Sequence, residues 1–211
     1  MRSAQRTRLV LVRHGQTDHN REGRLQGQID IPLNDRGITQ AETLARSIAA
    51  SPPDLIVSSP LERARDTAGV VARACGLEVD LDEAFLERGF GRWEGLRGEE
   101  IHSRWPKEHA DWRAHRPIRG LDIEDRPEVG ERVAAGCRRL VEENPGRTVM
   151  VVAHGAAITL GITALLGLDT NGFRGLAGLE NCHRSVLEPV HAEPAEGLMR
   201  LLSHNLPPDF T

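Results

Sequence analysis

The chain has 211 residues, with 27 Lys and Arg against 31 Asp and Glu, so its formal charge is −4. The length suits a single domain with a real core, and 39% hydrophobic residues is too many for a disordered chain. A mildly acidic chain with no Tyr, three Trp and four Phe does not fit a protein that coats nucleic acid or an anionic membrane. The three cysteines are odd in number and widely spaced, which disfavours both a disulfide framework and a zinc ribbon.

The first part of the chain predicts two buried strands, each followed by a helix. Residues 7–12 (TRLVLV) are suited to a strand buried on both faces. A polar loop is expected over residues 13–34. Apolar residues at helical spacing predict a helix over 36–50, and LIVS predicts a strand over 54–58.

A helix start is predicted directly after the second strand. Ser59 is expected as the capping residue, Pro60 suits the first helical position, and Glu62 would complete a capping box. Apolar residues on one face continue this helix to Cys75, and a short strand is expected near Leu77–Leu81.

A covering segment is predicted over residues 85–126. Residues 85–98 are rich in Gly and irregular, whereas residues 99–126 carry many charges and two of the three Trp. This pattern indicates short helices and loops that lie over the main body as a lid. Arg113, Arg116 and Arg119 in this segment would suit an anionic substrate or form a solvated surface.

The last part of the chain returns to strands and helices. An amphipathic helix is predicted over 128–143, a buried strand over 149–153 and an apolar helix over 156–166. Two further strands are expected over 185–190 and 198–202, around a turn that contains Pro and Gly. Alternating strands and helices predict an α/β fold with three layers, a mostly parallel central sheet and helices on both faces. The whole chain, 1–211, is expected to form one domain with the lid as an insert.

Three of the predicted strands are followed by basic side chains, either Arg or His. Arg13 and His14 follow the first strand, Arg63 lies in the first helical turn after the second, and His154 follows the strand over 149–153. Ligands bind at the carboxyl ends of the strands in such sheets. Two Arg, two His and a helix N-terminus at one edge predict a site for a dianion such as phosphate. A neutral imidazole there is also a nucleophile for phosphorus, and nearby guanidinium groups disfavour its protonation.

Four segments together resemble the histidine phosphatase superfamily, in the branch related to cofactor-dependent phosphoglycerate mutases. They read LVRHGQTDHN, SSPLERARDTA, LERGFGRWEG and VVAHG, and the match runs from Leu9 to Leu166 with the expected order and spacing. His154 is followed by Gly155, which disfavours the acid-phosphatase branch, where the proton donor takes that place.

The resemblance implies a role for each matching residue. His14 would attack phosphorus and become phosphohistidine, while Arg13, Arg63 and His154 would hold the phosphoryl oxygens. Glu87 would give a proton to the leaving oxygen and then activate water. Further contacts with phosphate or substrate are implied for three residues: Asn20, Gln26 and Gly27. The scheme requires no metal ion and no organic cofactor.

One departure from the family's pattern follows the lid. Much of the family has Gly-Gly-Glu-Ser before the long penultimate helix, and here the chain reads Glu128-Val129-Gly130-Glu131-Arg132. Glu131 is therefore a candidate for supporting the site. Arg132 replaces the Ser, and either reaches an anionic substrate or faces solvent.

The function predicted first is a metal-independent phosphatase that acts through a phosphohistidine. The same residues would serve a mutase that returns the phosphoryl group to the product, or an inactive phosphate-binding module. A short chain with a divergent lid favours hydrolysis, because the mutases carry longer covering segments that exclude water. RHGQTDHN followed by RLQGQID resembles phosphatases of phosphorylated sugars and sugar acids, including glucosyl-3-phosphoglycerate.

The partner expected from these observations is a small phosphomonoester, with no nucleic acid and no membrane. The apolar run over 149–168 is interrupted by His154 and Gly155, so a buried strand and helix explain it better than a membrane span. The N-terminus lacks the apolar stretch of a signal peptide, so the cytoplasm is the expected location. The oligomeric state stays open, with a homodimer as one alternative.

Overall fold

The computed structural model describes residues 6–190 and 197–209. Within them, one six-stranded sheet has the order β3-β2-β4-β1-β5-β6. The strands are β1 (Arg8–Arg13), β2 (Leu55–Ser58), β3 (Val79–Leu81), β4 (Thr148–Ala153), β5 (Arg184–Pro189) and β6 (Met199–Leu206). β3, β2, β4 and β1 are parallel to one another, whereas β5 and β6 are antiparallel to their neighbours. The predicted turn between the last two strands falls on residues 191–196, outside the described residues.

The helices among the described residues are α1 (Asp18–Glu22), α2 (Asp35–Ala49), α3 (Glu62–Cys75), α4 (Gly98–Arg104), α5 (Pro106–Arg113), α6 (Arg126–Glu143) and α7 (Gly155–Leu165). Two short 3₁₀ turns lie at Glu83–Phe85 and Gly91–Trp93. The short helix α1 interrupts the segment predicted as a loop. It forms because Thr17 and Asn20 cap it reciprocally, each side chain accepting the other residue's backbone N–H at 3.2 Å.

Both faces of the sheet are covered by helices, as the sequence predicts. In β1, Leu9 and Leu11 pack in the core beneath α6 and α7, while Val12 packs with α2 and α3 on the other face. In β4, Val149 and Val151 face the first layer and Met150 the second. Successive strand side chains point to opposite faces, so a continuous apolar run supplies both cores.

The start of α3 differs from the prediction. The helix begins at Glu62 after the extended residue Leu61, and Ser59 does not cap it. The Ser59 backbone N–H instead donates to Val152 O at 3.0 Å, which continues the strand pairing. The N–H of Glu62 is bound by the carboxylate of Asp30 at 2.7 Å, so the cap comes from a residue far away in the sequence.

The covering segment contains two short helices, α4 and α5, and a hydrophobic cluster of its own. The buried members of this cluster are Phe90, Trp93, Ile101, Ile118, Leu121 and Ile123. Gly91 has a φ of +49°, and a Cβ there would lie 2.2 Å from Leu121 O, so the turn into the cluster requires glycine. Ala156 of α7 packs against the cluster and connects it to the main body. The division into one domain and an inserted lid stays a prediction.

Within the described residues, no helix is both long and apolar enough to cross a membrane.

Candidate active site

Two strand ends bring the two predicted histidines together. β1 and β4 run in parallel register, with Arg13 beside Ala153, so the residues that follow them, His14 and His154, are neighbours. Their ring centroids are 5.2 Å apart. The repeated pattern of a buried strand followed by His-Gly therefore produces a pair of imidazoles at one edge of the sheet.

His14 is held in the tautomer that a nucleophile needs. Its Nδ1 lies 2.6 Å from Gly15 O, and because a carbonyl can only accept, Nδ1 carries the proton and Nε2 has the lone pair. No described residue forms a hydrogen bond to Nε2. Burial, followed by the charges of Arg63 and Arg13, lowers the pKa of His14 well below 6.5. The ring is therefore neutral at pH 7.

His154 is the N-cap residue of α7 and is fully buried. Its Nε2 lies 2.8 Å from the hydroxyl of Ser59, which itself accepts the Leu61 N–H at 3.4 Å. The Ser59 hydroxyl can donate its proton to Nε2, and the His154 proton then lies on Nδ1. Burial and then the charge of Arg63 lower the pKa of His154 well below 6.5.

Both predicted arginines are oriented by backbone carbonyls. Arg63, fully buried, donates to Ile29 O at 2.8 Å and to Gly27 O at 2.7 Å. Arg13 donates to Leu179 O at 2.6 Å. Burial lowers the pKa of each guanidinium. Both groups nevertheless stay positively charged, because an Arg side chain is effectively always protonated.

Three buried N–H positions of this group have no hydrogen-bond partner among the described residues. They are Arg13 Nε, Arg63 Nε and His154 Nδ1. Buried donors are almost always paired in folded proteins, so unpaired donors gathered in one place need an acceptor. An oxyanion with several oxygens, such as a phosphoryl group, satisfies all three.

Glu87 is fixed against the first turn of α7. Its carboxylate accepts the N–H groups of Ala157 at 2.9 Å and Ala156 at 3.3 Å, and also that of Arg88 at 2.9 Å. These bonds place a carboxyl group beside the histidine that caps the same helix. Glu87 is 9% exposed, so it can exchange a proton with a bound molecule from a nearly enclosed position.

A cavity of about 500 Å³ lies over these groups. Six of the eight predicted site residues line it: Arg13, His14, Asn20, Gln26, Gly27 and Glu87. Arg63 and His154 do not line it and lie buried behind it, with His154 against the His14 ring. The volume is that of a pocket for a small molecule, with the nucleophile and the carboxyl group on its wall.

In both Asn20 and Gln26, the oxygen of the side-chain amide already accepts a hydrogen bond within the protein. Asn20 Oδ1 accepts from Asn181 Nδ2 at 3.1 Å, and Gln26 Oε1 accepts from the Thr17 hydroxyl at 2.7 Å. The amide oxygens are thus fixed within the protein, and the NH₂ groups are the parts left for a ligand. Gly27, with a φ of +54°, also supplies the carbonyl that orients Arg63.

Comparison with known proteins gives the same assignment. The family described as "Histidine phosphatase superfamily (branch 1)" matches residues 9–200. The chain belongs to the histidine phosphatase superfamily. It is 38% identical to glucosyl-3-phosphoglycerate phosphatase of Mycobacterium tuberculosis over 182 residues, covering 82% of each chain. It is 33% identical to phosphoserine phosphatase 1 of Hydrogenobacter thermophilus over 198 residues, covering 93% of this chain and 92% of the relative.

Solved structures agree with these relatives. A mycobacterial glucosyl-3-phosphoglycerate phosphatase complexed with VO3 has a TM-score of 0.84 and 36% identity, covering 94% of this chain and 98% of that chain. A phosphoserine phosphatase mutant from Entamoeba histolytica in complex with phosphoserine has a TM-score of 0.80 and 31% identity, covering 94% and 96%. The chain is therefore an enzyme, a phosphatase of this family, which confirms the predicted fold class, family and type of activity.

The two residues of the altered family motif, Glu131 and Arg132, lie in different surroundings on α6. Glu131 is exposed, with its carboxylate 2.8 Å from Arg138, so the structure does not bring it to the cavity. Arg132 takes neither of the two predicted roles. It binds Glu124 through both Nε and Nη2 and donates to the carbonyls of Ala84 and Leu86 at 3.0 Å. An arginine at the place of the family's Ser thus clamps the chain that leads into Glu87.

Two supporting residues near His14 were missed in the sequence. Asn181 Nδ2 donates to His14 O at 3.0 Å, and the Thr67 hydroxyl accepts the Gly15 N–H at 3.0 Å. Thr67 could have been found, since it lies one helical turn after Arg63 on the same face of α3. Asn181 lies just before β5, outside every motif, and only the fold brings it to His14.

Proposed function

We propose that the chain hydrolyses the phosphomonoester of a small sugar or sugar acid, such as glucosyl-3-phosphoglycerate, through a phosphohistidine at His14 and without a metal ion. The observation that carries this proposal is the geometry of His14. Its Nδ1 is bound to Gly15 O, Nε2 has no hydrogen-bond partner in the part of the chain that the structure describes, and a carboxyl group lies on the wall of the same cavity.

In the first step, His14 Nε2 attacks phosphorus and the bond from phosphorus to the alkoxide oxygen breaks. Arg13 receives the phosphoryl oxygens from the cavity wall, and the unpaired donors of Arg63 and His154 stabilise them from behind. The leaving oxygen takes a proton from the carboxyl group of Glu87 and departs as the alcohol.

In the second step, water cleaves the phosphohistidine. The carboxylate of Glu87 accepts a proton from the water as its oxygen bonds to phosphorus, and the N–P bond returns its electron pair to His14 Nε2. Inorganic phosphate is released and Glu87 is again protonated. The N–H groups of α7 that hold this carboxylate keep it in position for both proton transfers.

The class of substrate is supported by the relatives and by the cavity. The relatives named above act, by their names, on glucosyl-3-phosphoglycerate and on phosphoserine, each a phosphate ester of a small organic acid. A cavity of about 500 Å³ accommodates molecules of this size. The homodimer and the cytoplasmic location stay predictions.

Turnover of glucosyl-3-phosphoglycerate, 3-phosphoglycerate and phosphoserine in EDTA tests the proposal. Inorganic phosphate is expected as the product, with His14→Ala slower by about 10⁴-fold or more, since the covalent step is removed. His102→Ala is the matched control, because this exposed histidine on the lid does not line the cavity. Isomerisation of 3-phosphoglycerate without phosphate release, or wild-type rates in His14→Ala, would contradict the proposal.

A further inference from the structure

A second cavity adjoins the active-site cavity. Its volume is about 360 Å³, and Arg126 and Thr159 line both cavities. The far wall of the second cavity includes Arg174 and Phe173. A molecule that reaches from His14 past Thr159 therefore meets Arg126 first and Arg174 beyond it.

Arg126 is fixed in place but not neutralised. It is the first residue of α6, and its Nε donates to Thr170 O at 2.8 Å. No described residue forms a hydrogen bond to its two terminal nitrogens. Arg174 is exposed, with one nitrogen donating to Ala114 O at 2.9 Å. Both guanidinium groups are thus oriented by carbonyls, which leave their positive charge in place.

Carboxylates act on the arginines of this region only from beyond ion-pair distance: Asp169 on Arg126, and Glu87, Glu124 and Asp125 on Arg88. Among the described residues, none of Arg88, Arg126 and Arg174 has an Asp or Glu within ion-pair distance, so the charges repel one another. Arg88 is nearly buried, and burial followed by the charge of Arg126 lowers its pKa to about 10. Burial followed by the charge of Arg174 also lowers the pKa of Arg126.

Other basic residues nearby are already paired or lie elsewhere. Arg24 also lines the active-site cavity, but it binds Glu22 at 2.9 Å and Glu100 at 3.3 Å. The lid residues Arg116 and Arg119 pair with Asp111 and Asp125, and neither lines either of these two cavities. Arg126 is thus a cavity-lining guanidinium that keeps its charge for a ligand.

We propose that Arg126, supported by Arg174, binds the carboxylate of the substrate while its phosphate lies at His14. This inference rests on the proposed function and narrows it: the enzyme selects phosphorylated acids over phosphate esters that have no acid group. A planar guanidinium matches the two oxygens of a carboxylate, and an anion there would relieve the repulsion among the three arginines.

Pairs of substrates that differ in the carboxylate alone test this assignment. Phosphoserine is compared with phosphoethanolamine, and 3-phosphoglycerate with glycerol phosphate, in wild type and in Arg126→Met. The ratio of kcat/KM for the acid to kcat/KM for its partner without a carboxylate is expected to fall about 10- to 100-fold, the usual size of a lost charged hydrogen bond. Most of the fall should lie in KM, because the carboxylate is bound equally before and during reaction.

Three further variants keep the test informative. Arg126→Lys retains the charge and is expected to keep more of the ratio than Arg126→Met does. Arg174→Met changes an exposed residue, so it should fold normally, and it is expected to lower the same ratio several-fold. Arg113→Met removes a positive charge from the lid at a residue that lines neither cavity, and it should leave the ratio unchanged.

The possible failures can be told apart. If wild type releases phosphate from these esters but Arg126→Met and Arg174→Met keep the wild-type ratio, the carboxylate site is overturned and the proposed function stands. If wild type releases phosphate from none of them, the proposed function fails and this inference fails with it. A larger effect of Arg126→Met on fructose 1,6-bisphosphate against fructose 6-phosphate than on the acid pairs would overturn the choice of carboxylate over a second phosphate.

Discussion

The floor of the active site and the segment that covers it are held in different ways. On the floor, His14 and the two arginines are oriented mainly by backbone carbonyls at the ends of buried elements. In the cover, side chains hold side chains: Arg132 binds Glu124, Arg116 binds Asp111, and Arg119 binds Asp125. Groups placed by backbone geometry keep their positions wherever the fold is kept. Groups placed by charged pairs depend on the particular residues of this chain.

Glu87 lies at the boundary between these two regions. It lies in the irregular first part of the cover, yet its carboxylate is bound by the first N–H groups of α7, which follows the floor strand β4. The proposed proton donor therefore lies near His154, because both residues are positioned by the start of α7. The backbone that carries it, however, is held by Arg132 of α6, which also binds Glu124 of the cover.

Apart from the loss of His14, Glu87→Gln is the substitution with the largest expected effect on activity. The amide can still accept the N–H of Ala157 but cannot give a proton to the leaving group. We expect kcat for alkyl phosphates to fall about 10²- to 10⁴-fold, the usual contribution of a general acid. The rate with p-nitrophenyl phosphate should fall far less, because its leaving group needs little protonation.

The exposed residue Glu83, four positions earlier, provides the matched control. Glu83→Gln should change neither rate by more than about 2-fold, as expected for a surface substitution. If Glu87→Gln slows both kinds of substrate equally, Glu87 supports the site without acting as the acid.

The same contrast explains how much could be predicted from the sequence. Strand periodicity followed by His-Gly predicts the neighbouring histidines, because parallel strands end at one edge of the sheet. The cap of α3 was predicted wrongly because Ser59 suits a helix cap locally, whereas in the fold its hydroxyl binds His154. Asp30, which binds the N–H of Glu62, is 32 residues away, and no local pattern indicates such a partner.

The role of Arg132 could not be predicted for the same physical reason. The altered motif shows that a Ser is replaced, but the partner of the new guanidinium is set by Glu124 and by two carbonyls more than 40 residues earlier. Short sequence patterns report the backbone path near a residue, whereas charged pairs across the lid depend on the complete fold.

The buried histidines of the floor give a prediction about pH. Burial and the charge of Arg63 lower the pKa of both His14 and His154 in the folded protein, while the unfolded chain has an ordinary His pKa near 6.5. Above that pH both states are neutral and the pair adds no pH dependence. Below it the unfolded chain binds protons that the folded chain does not, so the free energy of unfolding falls by up to about 1.4 kcal/mol per pH unit for each histidine.

Urea unfolding at pH 7.5, 6.5 and 5.5 measures this effect. The double variant His14→Gln, His154→Gln should lose less stability than wild type between pH 6.5 and 5.5, by up to about 2 kcal/mol for the pair. Equal slopes in wild type and the double variant would mean that the buried pair takes up protons while folded.

The smallest expected effect concerns the contact between α6 and the cover. Arg132→Met removes the pair with Glu124 and two hydrogen bonds to the carbonyls of Ala84 and Leu86. Because these groups are about three-quarters buried, we expect the free energy of unfolding to fall by about 1 to 2 kcal/mol, measured by urea unfolding.

Hydrogen exchange shows where this stability is lost. Glu124 also accepts the Gly89 N–H at 3.0 Å, so loosening it in Arg132→Met should speed amide exchange near Gly89 while Val151, in the sheet, stays protected. Glu131→Gln is the control on the next residue: its pair with Arg138 is exposed, and its loss should cost less than about 0.5 kcal/mol. If the two variants lose equal stability and exchange near Gly89 is unchanged, Arg132 is no clamp, and the chain carrying Glu87 must be held by the α7 N–H groups alone. In that case the proton donor would belong to the floor rather than to the boundary between the two regions.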